Sequence, residues 1–342
     1  MREPAEDLRA IAFCLERALE PAYRVKAFRA AAAVVDGLDR HDLEARAQAG
    51  TLTELTGIGK VTALVITESL VGEEPNYLRR VSDLGETTVT EGAASLRAAL
   101  RGDCHVHSDW SDGGSPIAEM AEAARALGHE YIVLTDHSPR LTVARGLSAD
   151  RLREQLDVVA GLNERWDDFR ILTGIECDIL EDGSLDQEPA LLAELDLVVA
   201  SVHSKLRMDS ADMTPRMIAA ISNPHTDVLG HCTGRLVKGK GRPESEFEAD
   251  LVFAACAQFD VAVEVNSRPE RLDPPKRLLR LAIEAGCKVA IDTDAHAPGQ
   301  LDWQHLGCER AHLAGVRVEQ VVNSWSAQEL LAWTVTRRAD AG

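Results

Sequence analysis

The periodicity of the apolar positions divides the chain into two regions. Over residues 1–82, apolar residues recur at the spacing of amphipathic helices, as in EDLRAIAFCLERALE and RVKAFRAAAAVVDGL. Beyond residue 101, short apolar, β-branched runs alternate with amphipathic segments. The first region therefore predicts a small all-α domain, and the second predicts parallel strands connected by helices.

Seven candidate strands in the second region predict a parallel sheet, either open or closed into a barrel. They lie around residues 104–107, 131–135, 171–176, 197–202, 228–231, 261–265 and 288–292. Amphipathic segments fall between most of them, at 115–128, 148–164, 214–222, 244–258 and 275–285. Residues 83–101 (DLGETTVTEGAASLRAALR) are small and polar. We therefore predict a helical domain over 1–84, a linker over 85–101 and an α/β domain over 102–342.

Composition and charge narrow the class of protein. The chain has 342 residues, of which 45% are apolar, enough to bury a sizeable core. It lacks a long apolar run and a secretory signal, and its seven cysteines are scattered without a CxxC pair, so we expect a cytoplasmic protein with no membrane partner. A formal net charge of -19 disfavours nucleic acid as a partner unless basic residues cluster locally.

The segment LTELTGIGKVTALVITESL has the form of a helix-hairpin-helix. Gly57 and Gly59 bracket Ile58, and a helical run follows from Lys60. Backbone N–H groups at such a helix start can face an anion, so Gly57, Gly59 and Lys60 are candidate contacts to a DNA backbone. An ordinary turn between two helices would show the same pattern, and the segment alone leaves both interpretations open.

A histidine or an acidic residue lies at or near the carboxyl end of every candidate strand. In α/β barrels that end carries the active site. A single such residue is usually structural, but burying many of them unpaired would be costly, so the set predicts a cluster of two or three metal ions. Imidazole and carboxylate ligands together suit Mn, Zn or Fe. The candidate ligands are His105, His107, Asp112, His137, Glu176, His203, His231, Asp294 and His296.

The segments HVHSDWSDG, LTDHS, GIECD, VHS, GHCTGR and DTDAH, in this order, resemble the PHP (polymerase and histidinol phosphatase) family over about residues 101–340. The resemblance implies a distorted seven-stranded (β/α)7 barrel that holds three divalent metal ions. It assigns His105, His107, Glu176 and Asp294 to the first ion, Glu176, His203 and His231 to the second, and Asp112, His137 and His296 to the third.

Two longer stretches resemble the PHP domain of bacterial family X DNA polymerases: HSKLRMDSADMTPRMIAAISNPHTDVLGHCTGRLV and EVNSRPERLD. The N-terminal segments AYRVKAFRAAAAVV and LTGIGKVTALVITESL are similar to the helix-hairpin-helix domain of those polymerases, which favours a DNA-binding role. The chain lacks a polymerase palm between the two regions, so we do not expect polymerase activity. The position of the Schiff-base lysine of some family members falls on Val65, so we do not expect a lyase either.

The resemblance implies hydrolysis of a phosphate ester, with Glu176 and Asp294 at the catalytic metals. Lys205, Arg207, Arg235 and Arg268 are candidates for orienting the phosphate; Arg235 and Arg268 are favoured, although each could be a solvated surface cation. Glu264 is a candidate for orienting a histidine ligand. Three functions stay open: a DNA 3′-5′ exonuclease or 3′-end-processing enzyme, a phosphomonoesterase acting on histidinol phosphate or a nucleotide, and a non-catalytic, metal-stabilised DNA-binding module.

Overall fold

The computed structural model describes residues 2–340, and the chain folds as two compact units with the boundary between Thr88 and Val89. We call residues 2–88 the helical unit and residues 89–340 the barrel unit. Within the described residues, no helix is long and apolar enough to cross a membrane.

Among residues 2–88 the helical unit has five α-helices. Helices α1 to α5 span Pro4–Arg17, Ala22–Asp36, Arg40–Ala49, Lys60–Leu70 and Asn76–Val81. Helix α1 begins with a proline and two acidic residues, as the geometry and dipole of a helix N-terminus favour. Leu8, Ile11 and Ile66 are fully buried in the core of this unit. Val65 lies in the same core, which accounts for an apolar residue at the position where some family members have a lysine.

Between residues 89 and 340, seven strands run parallel in the sheet order β1 to β7. They span Gly102–Val106, Tyr131–Leu134, Arg170–Asp178, Leu197–Ser201, Val228–Leu229, Ala262–Asn266 and Val289–Asp292. The helices of this unit, α6 to α14, span Glu91–Ala99, Ile117–Ala126, Ala149–Asn163, Pro189–Leu192, Ser210–Ile221, Ala249–Gln258, Lys276–Glu284, Gln304–Ala314 and Ala327–Asp340.

The first and last strands approach each other and nearly close the sheet. The backbone N–H of His107 donates to the Ala295 carbonyl at 2.8 Å. The backbone N–H of Thr293 donates to Asp103 Oδ1 at 3.2 Å, and the Thr293 hydroxyl donates to the same carboxylate. Strand β5 has only two residues, so the barrel is irregular on that side. The predicted distorted seven-stranded (β/α)7 barrel is thus confirmed.

The inward-facing rows of the strands are apolar at their start and polar at their end. One buried cluster takes residues from all seven strands, among them Leu172, Ala262 and Ala290, and therefore fills the barrel interior. Because side chains alternate along a strand, the positions two and four residues further on face the same interior. On β3 that rule places Glu176 above Leu172, at the carboxyl end of the barrel. The sequence alternation thus separates a packed interior from a polar site.

The prediction of a linker over residues 85–101 is wrong for most of its length. Helix α6 begins after Thr90, whose hydroxyl accepts the Ala93 N–H at 3.3 Å, and it buries Ala93 and Leu96 against helix α13. Residues 85–101 are mostly small and polar, so the helical spacing of Ala93 and Leu96 was not recognised in the sequence. The barrel unit therefore begins before β1 and includes this helix.

Candidate metal centre

The carboxyl ends of the strands bring the nine predicted ligands into one cluster. Three overlapping groups have ligand atoms that all lie within 4.8 Å of one another. They are His107, Asp112, His137 and His296; His105, His107 and Asp294; and His137, Glu176 and His203. His231 lies outside these groups but within reach of Glu176. The groups differ from the assignment that the family resemblance implies in three respects. His107 and His137 each join two groups, Glu176 joins one group instead of two, and His231 joins none.

Glu176 occupies the centre of the cluster and contacts five imidazole rings, including that of His107, whose Nε2 lies 3.6 Å from Glu176 Oε2. Its Oε2 lies 3.4 Å from His105 Nε2 and 2.9 Å from His137 Nδ1. Its Oε1 lies 3.2 Å from His203 Nε2 and 2.9 Å from His231 Nε2. Because its two oxygens face different histidines, this carboxylate could act as a metal ligand together with either set of imidazoles.

Two aspartates complete the cluster on its other side. Asp294 Oδ1 lies 3.4 Å from His107 Nε2 and 3.5 Å from His296 Nδ1. Asp112 Oδ1 lies 3.4 Å from His137 Nε2 and 3.3 Å from His296 Nε2. Asp294 has a φ of 54°, in the left-handed region that aspartate adopts more readily than most residues. The chain therefore accepts an uncommon backbone conformation at this position.

Many buried polar atoms of the cluster lack a hydrogen-bond partner among the described residues. They are Nε2 of His105, both ring nitrogens of His107 and His231, Nδ1 of His137, both oxygens of Glu176 and Nε2 of His203. Leaving so many buried donors and acceptors unpaired would be costly. Divalent cations satisfy nitrogen and carboxylate oxygen atoms in this arrangement, and Zn, Mn or Fe fits the donor set. The residues present therefore fit a polynuclear metal centre.

The two central carboxylates are held in their anionic form. Burial opposes ionisation of Glu176, but the positive charge of His203 and His105 outweighs it and lowers its pKa well below the usual range. Burial likewise opposes ionisation of Asp294, and the Arg271 guanidinium lowers its pKa in spite of it. An anionic carboxylate is the form that ligates a metal ion.

Two buried carboxylates orient histidines of the cluster from behind. Nδ1 of His105 donates to Glu264 Oε1 at 2.6 Å, and Nδ1 of His203 hydrogen-bonds Asp178. Each bond leaves Nε2 facing Glu176, as in metal centres where a carboxylate fixes the ring of a ligand. The role predicted for Glu264 agrees with this contact. Asp178 was missed, although its position two residues after Glu176 on one strand could have indicated it.

A third buried carboxylate, Asp136, fixes the loop that carries Asp112. It accepts hydrogen bonds from the Ser108 hydroxyl at 2.6 Å, from the Ser111 hydroxyl and from Gln155 Nε2 at 2.6 Å. Burial raises its pKa, although these hydroxyl groups partly oppose that rise. The loop is therefore held in place by hydrogen bonds that it donates to one buried side chain.

The contacts of Arg235 do not support its predicted role in orienting a phosphate. Its Nε donates to the Arg271 carbonyl at 3.1 Å, its Nη2 donates to the Leu272 carbonyl, and its Nη1 lies 3.3 Å from Glu244 Oε1. The guanidinium is thus occupied by the loop that follows β6, because the chain turns back through the left-handed residue Leu272 (φ 48°). Arg235 stabilises this loop and does not line the cavity of the cluster.

Arg268 reaches the cluster, and Arg271 was missed. Arg268 Nη1 lies 3.7 Å from Asp294 Oδ1 and 3.2 Å from His296 Nδ1. Arg271 Nε lies 3.1 Å from Asp294 Oδ2, and its side chain is largely buried. Both arginines come from the segment RPERLD, where the spacing alone did not show which side chain turns inward. The remaining phosphate candidates, Lys205 and Arg207, are exposed.

A cavity of about 480 Å³ opens onto the cluster. Its lining includes five of the candidate ligands: Asp112, His137, His203, Asp294 and His296. It also includes four cations, Lys238, Arg242, Arg268 and Arg271, the acid Glu270, which lies 3.6 Å from Arg268, and the apolar residues Leu141, Val143, Ala144 and Leu236. On a chain with a net charge of -19, this local concentration of positive charge suits an anionic ligand.

The predicted hairpin has the expected local form in the helical unit. Gly57 has a φ of 98°, which favours glycine, and helix α4 begins at Lys60 directly after Gly59. The Gly59 N–H donates to the Thr62 hydroxyl at 2.9 Å, so this donor is already satisfied. Lys60 is exposed. DNA binding by Gly57, Gly59 and Lys60 stays a prediction.

Comparison with known proteins shows which family the barrel unit resembles. The PHP domain family model matches residues 103–268. The chain is 39% identical over 234 residues to the DNA polymerase/3′-5′ exonuclease PolX of Bacillus subtilis, an alignment that covers 68% of this chain and 41% of that protein. It is 30% identical over 219 residues to a probable phosphatase of Caldanaerobacter subterraneus, covering 60% of this chain and 79% of that protein.

Among solved structures, the chain matches histidinol phosphate phosphatase from Lactococcus lactis, determined with zinc, L-histidinol and phosphate. That match has 18% identity and a TM-score of 0.46, and it covers 64% of this chain and 95% of the other. The matched residues 103–268 contain strands β2 to β6, nearly all of β1, and seven of the nine candidate ligands. The chain belongs to the PHP family of metal-dependent phosphoesterases.

Proposed function

We propose that this protein is a metal-dependent nuclease that shortens or trims the 3′ end of DNA. The observation that carries the proposal is the histidine-rich cluster around Glu176, which opens into a cavity lined by four cations. The choice of DNA rests on the 39% identity to a relative whose name includes 3′-5′ exonuclease activity. The chain spans only 41% of that relative's length. The similarity therefore supports an activity of the matched portion and not every activity of the whole relative.

The nine candidate ligands would hold three divalent ions, of Mn, Zn or Fe. When bound, such ions stabilise the charge on a phosphoryl group and provide a nucleophilic hydroxide at neutral pH. In the reaction, the oxygen of water bonds to phosphorus and the bond from phosphorus to the leaving 3′ oxygen breaks. The leaving oxygen takes a proton, so the products are a 5′-mononucleotide and a strand with a new 3′ hydroxyl.

The side chains around the cluster have defined parts in this proposal. Arg268 and Arg271 lie beside Asp294 at the cavity, where their charges would hold the non-bridging oxygens of the phosphate. Glu264 and Asp178 keep His105 and His203 turned toward Glu176. In the helical unit, the exposed Lys60 would contribute a contact to the DNA backbone.

A phosphomonoesterase acting on a small metabolite is the second candidate. The overall negative charge favours it, because an acidic surface attracts long DNA poorly. A relative named as a probable phosphatase also supports it. Histidinol phosphate or a free nucleotide would fit the size and charge of the cavity.

The test compares the full chain with its Glu176→Gln variant after loading with Mn²⁺. The substrates are 5′-labelled single-stranded DNA and, in parallel, histidinol phosphate. We expect a ladder of shortened products from the wild-type protein and none from the variant. The exposed Glu194→Gln substitution is the matched control and should leave the ladder intact. Hydrolysis of histidinol phosphate without any DNA shortening would replace the first candidate with the second.

A further inference from the structure

An exposed apolar turn lies at the cavity of the metal cluster. Val143 is 90% exposed, the most exposed large apolar side chain among the described residues. Leu141 and Ala144, from the same turn, also line the cavity. An apolar side chain held in water beside a site for a charged group indicates contact with an apolar part of the ligand.

The turn is held rigidly by its neighbours. The Arg140 N–H donates to Asp186 Oδ2 at 2.6 Å, and the Leu147 N–H donates to the His137 carbonyl at 2.7 Å. Arg151 Nη1 donates to the Arg145 carbonyl at 2.7 Å. A Cβ on Gly146 would lie 1.8 Å from the Ser138 carbonyl oxygen, so the chain is closely packed there. The exposed Val143 is thus presented by a fixed backbone, and little ordering would be needed when a ligand binds.

A second, cationic segment lines the same cavity. Residues 236–242 form a hairpin in which the backbones of Leu236 and Arg242 exchange hydrogen bonds of 3.0 and 2.9 Å. Lys238 and Arg242 of this hairpin line the cavity together with the apolar turn. The cavity therefore offers metal ligands, positive charge and an apolar surface to one bound group. The 3′ end of a DNA strand has the matching parts: the phosphate to be cleaved, the preceding backbone phosphate and the uncharged terminal base.

We propose that the turn of residues 141–144 is the platform on which the terminal base of the substrate packs. This inference rests on the proposed nuclease function and specifies its substrate: the 3′-terminal nucleotide of an unpaired strand. A cavity of about 480 Å³ is in the range that holds one small molecule, which matches a single nucleotide separated from its pairing partner. An apolar platform contacts the face of any base, so little sequence preference is expected.

The experiment uses two 5′-labelled single-stranded oligonucleotides that differ only at the 3′ end. One ends in thymidine and the other in a tetrahydrofuran residue, which has the sugar and phosphate but no base. We expect the Mn²⁺-loaded wild-type protein to have a kcat/KM about tenfold or more higher for the thymidine end, from the energy of packing one base. The Val143→Ser and Leu141→Ser variants should bring that ratio close to one.

The control is Val158→Ser, which changes an exposed valine of α8 that does not line the cavity. It should keep the wild-type ratio. Melting temperatures of all variants verify that each protein is folded. A wild-type ratio near one, or an undiminished ratio in both turn variants, would overturn the platform while leaving the nuclease function standing. If the wild-type protein cleaves neither oligonucleotide, both the nuclease proposal and the proposed base-packing role of the turn are rejected.

Discussion

The guanidinium of Arg271 lies 3.1 Å from the carboxylate of Asp294, inside the barrel unit and at the edge of the metal cluster. Burial opposes the positive charge of Arg271, but the carboxylates of Asp294, Glu176, Asp273 and Glu264 together raise the pKa of Arg271. The pair joins a candidate metal ligand to a cation that lines the cavity. A substitution at Arg271 should therefore affect catalysis although the residue binds no metal.

Replacing Arg271 with glutamine should lower kcat/KM by about 10- to 100-fold, the usual effect of removing a group that supports a metal ligand. The measurement is the initial rate of phosphodiester cleavage at saturating Mn²⁺. Arg277→Gln, which changes an exposed arginine of α12, is the matched control and should keep the wild-type rate. An unaltered rate in Arg271→Gln would show that the Asp294 contact has no part in the reaction.

Replacing Glu176 with glutamine should reduce the number of bound metal ions, because the carboxylate contacts five of the candidate histidine ligands. Metal content after dialysis, measured by mass spectrometry, reports this directly. Added Mn²⁺ should raise the melting temperature of the wild-type protein and raise that of the variant much less, since a metal that binds the folded state stabilises it. Equal metal content in the two proteins would exclude Glu176 as a ligand.

The stability of the barrel unit should fall in mild acid because of His129. Burial and the neighbouring Arg97, which donates to His129 Nε2 at 3.2 Å, lower the pKa of this histidine to about 3. In the unfolded chain its pKa is ordinary, about 6.5. Between these two values the unfolded state binds more protons than the folded state, so stability is full above about pH 6.5 and decreases as the pH falls, by at most about 1.4 kcal/mol per unit.

The measurement is urea unfolding at pH 7.5 and pH 5.5, followed by tryptophan fluorescence. All five tryptophans belong to the barrel unit, so the signal reports that unit. The His129→Gln variant should lose less stability between the two pH values than the wild-type protein does. His312→Gln, at an exposed position, should behave like the wild type. Identical losses in His129→Gln and wild type would contradict the prediction.

The Asp227→Asn substitution should destabilise the barrel unit by about 3 kcal/mol or more, because it leaves two arginines without their partner. Asp227 is fully buried, and its oxygens lie 2.6 Å from Arg337 and 2.9 Å from Arg338 on the C-terminal helix α14. The matched control is Asp168→Asn, which breaks a surface pair with Arg125 and should cost less than about 1 kcal/mol. Urea unfolding measures the loss of stability in each variant. Equal losses in the two variants would contradict the prediction that the buried ion pair matters more than the surface pair.

The strand-end pattern predicted the candidate site well, because the residues that build it are local to each strand. On β3, alternation alone puts Glu176 on the same side as the interior residue Leu172. Strand β1 departs from this rule, because its pairing with β2 shifts between Asp103 and Val106. The directions of long side chains could not be predicted in this way. Arg235 and Arg271 differ in role because the chain reverses at Leu272, and nothing in the residue spacing indicates that reversal. The contact between α6 and α13 could not be predicted from local spacing either, because it joins distant parts of the chain.

The position of helix α6 decides where the protein can be divided for laboratory work. A fragment that starts at residue 102 would retain every candidate metal ligand but would lose the helix that covers Cys308 and Ala311. Such a fragment would expose an apolar surface and would be prone to aggregate, and its inactivity would then be mistaken for a missing substrate-binding domain. A fragment that starts at Val89 keeps that surface covered, and it is the one on which the separate contribution of the N-terminal helices can be measured.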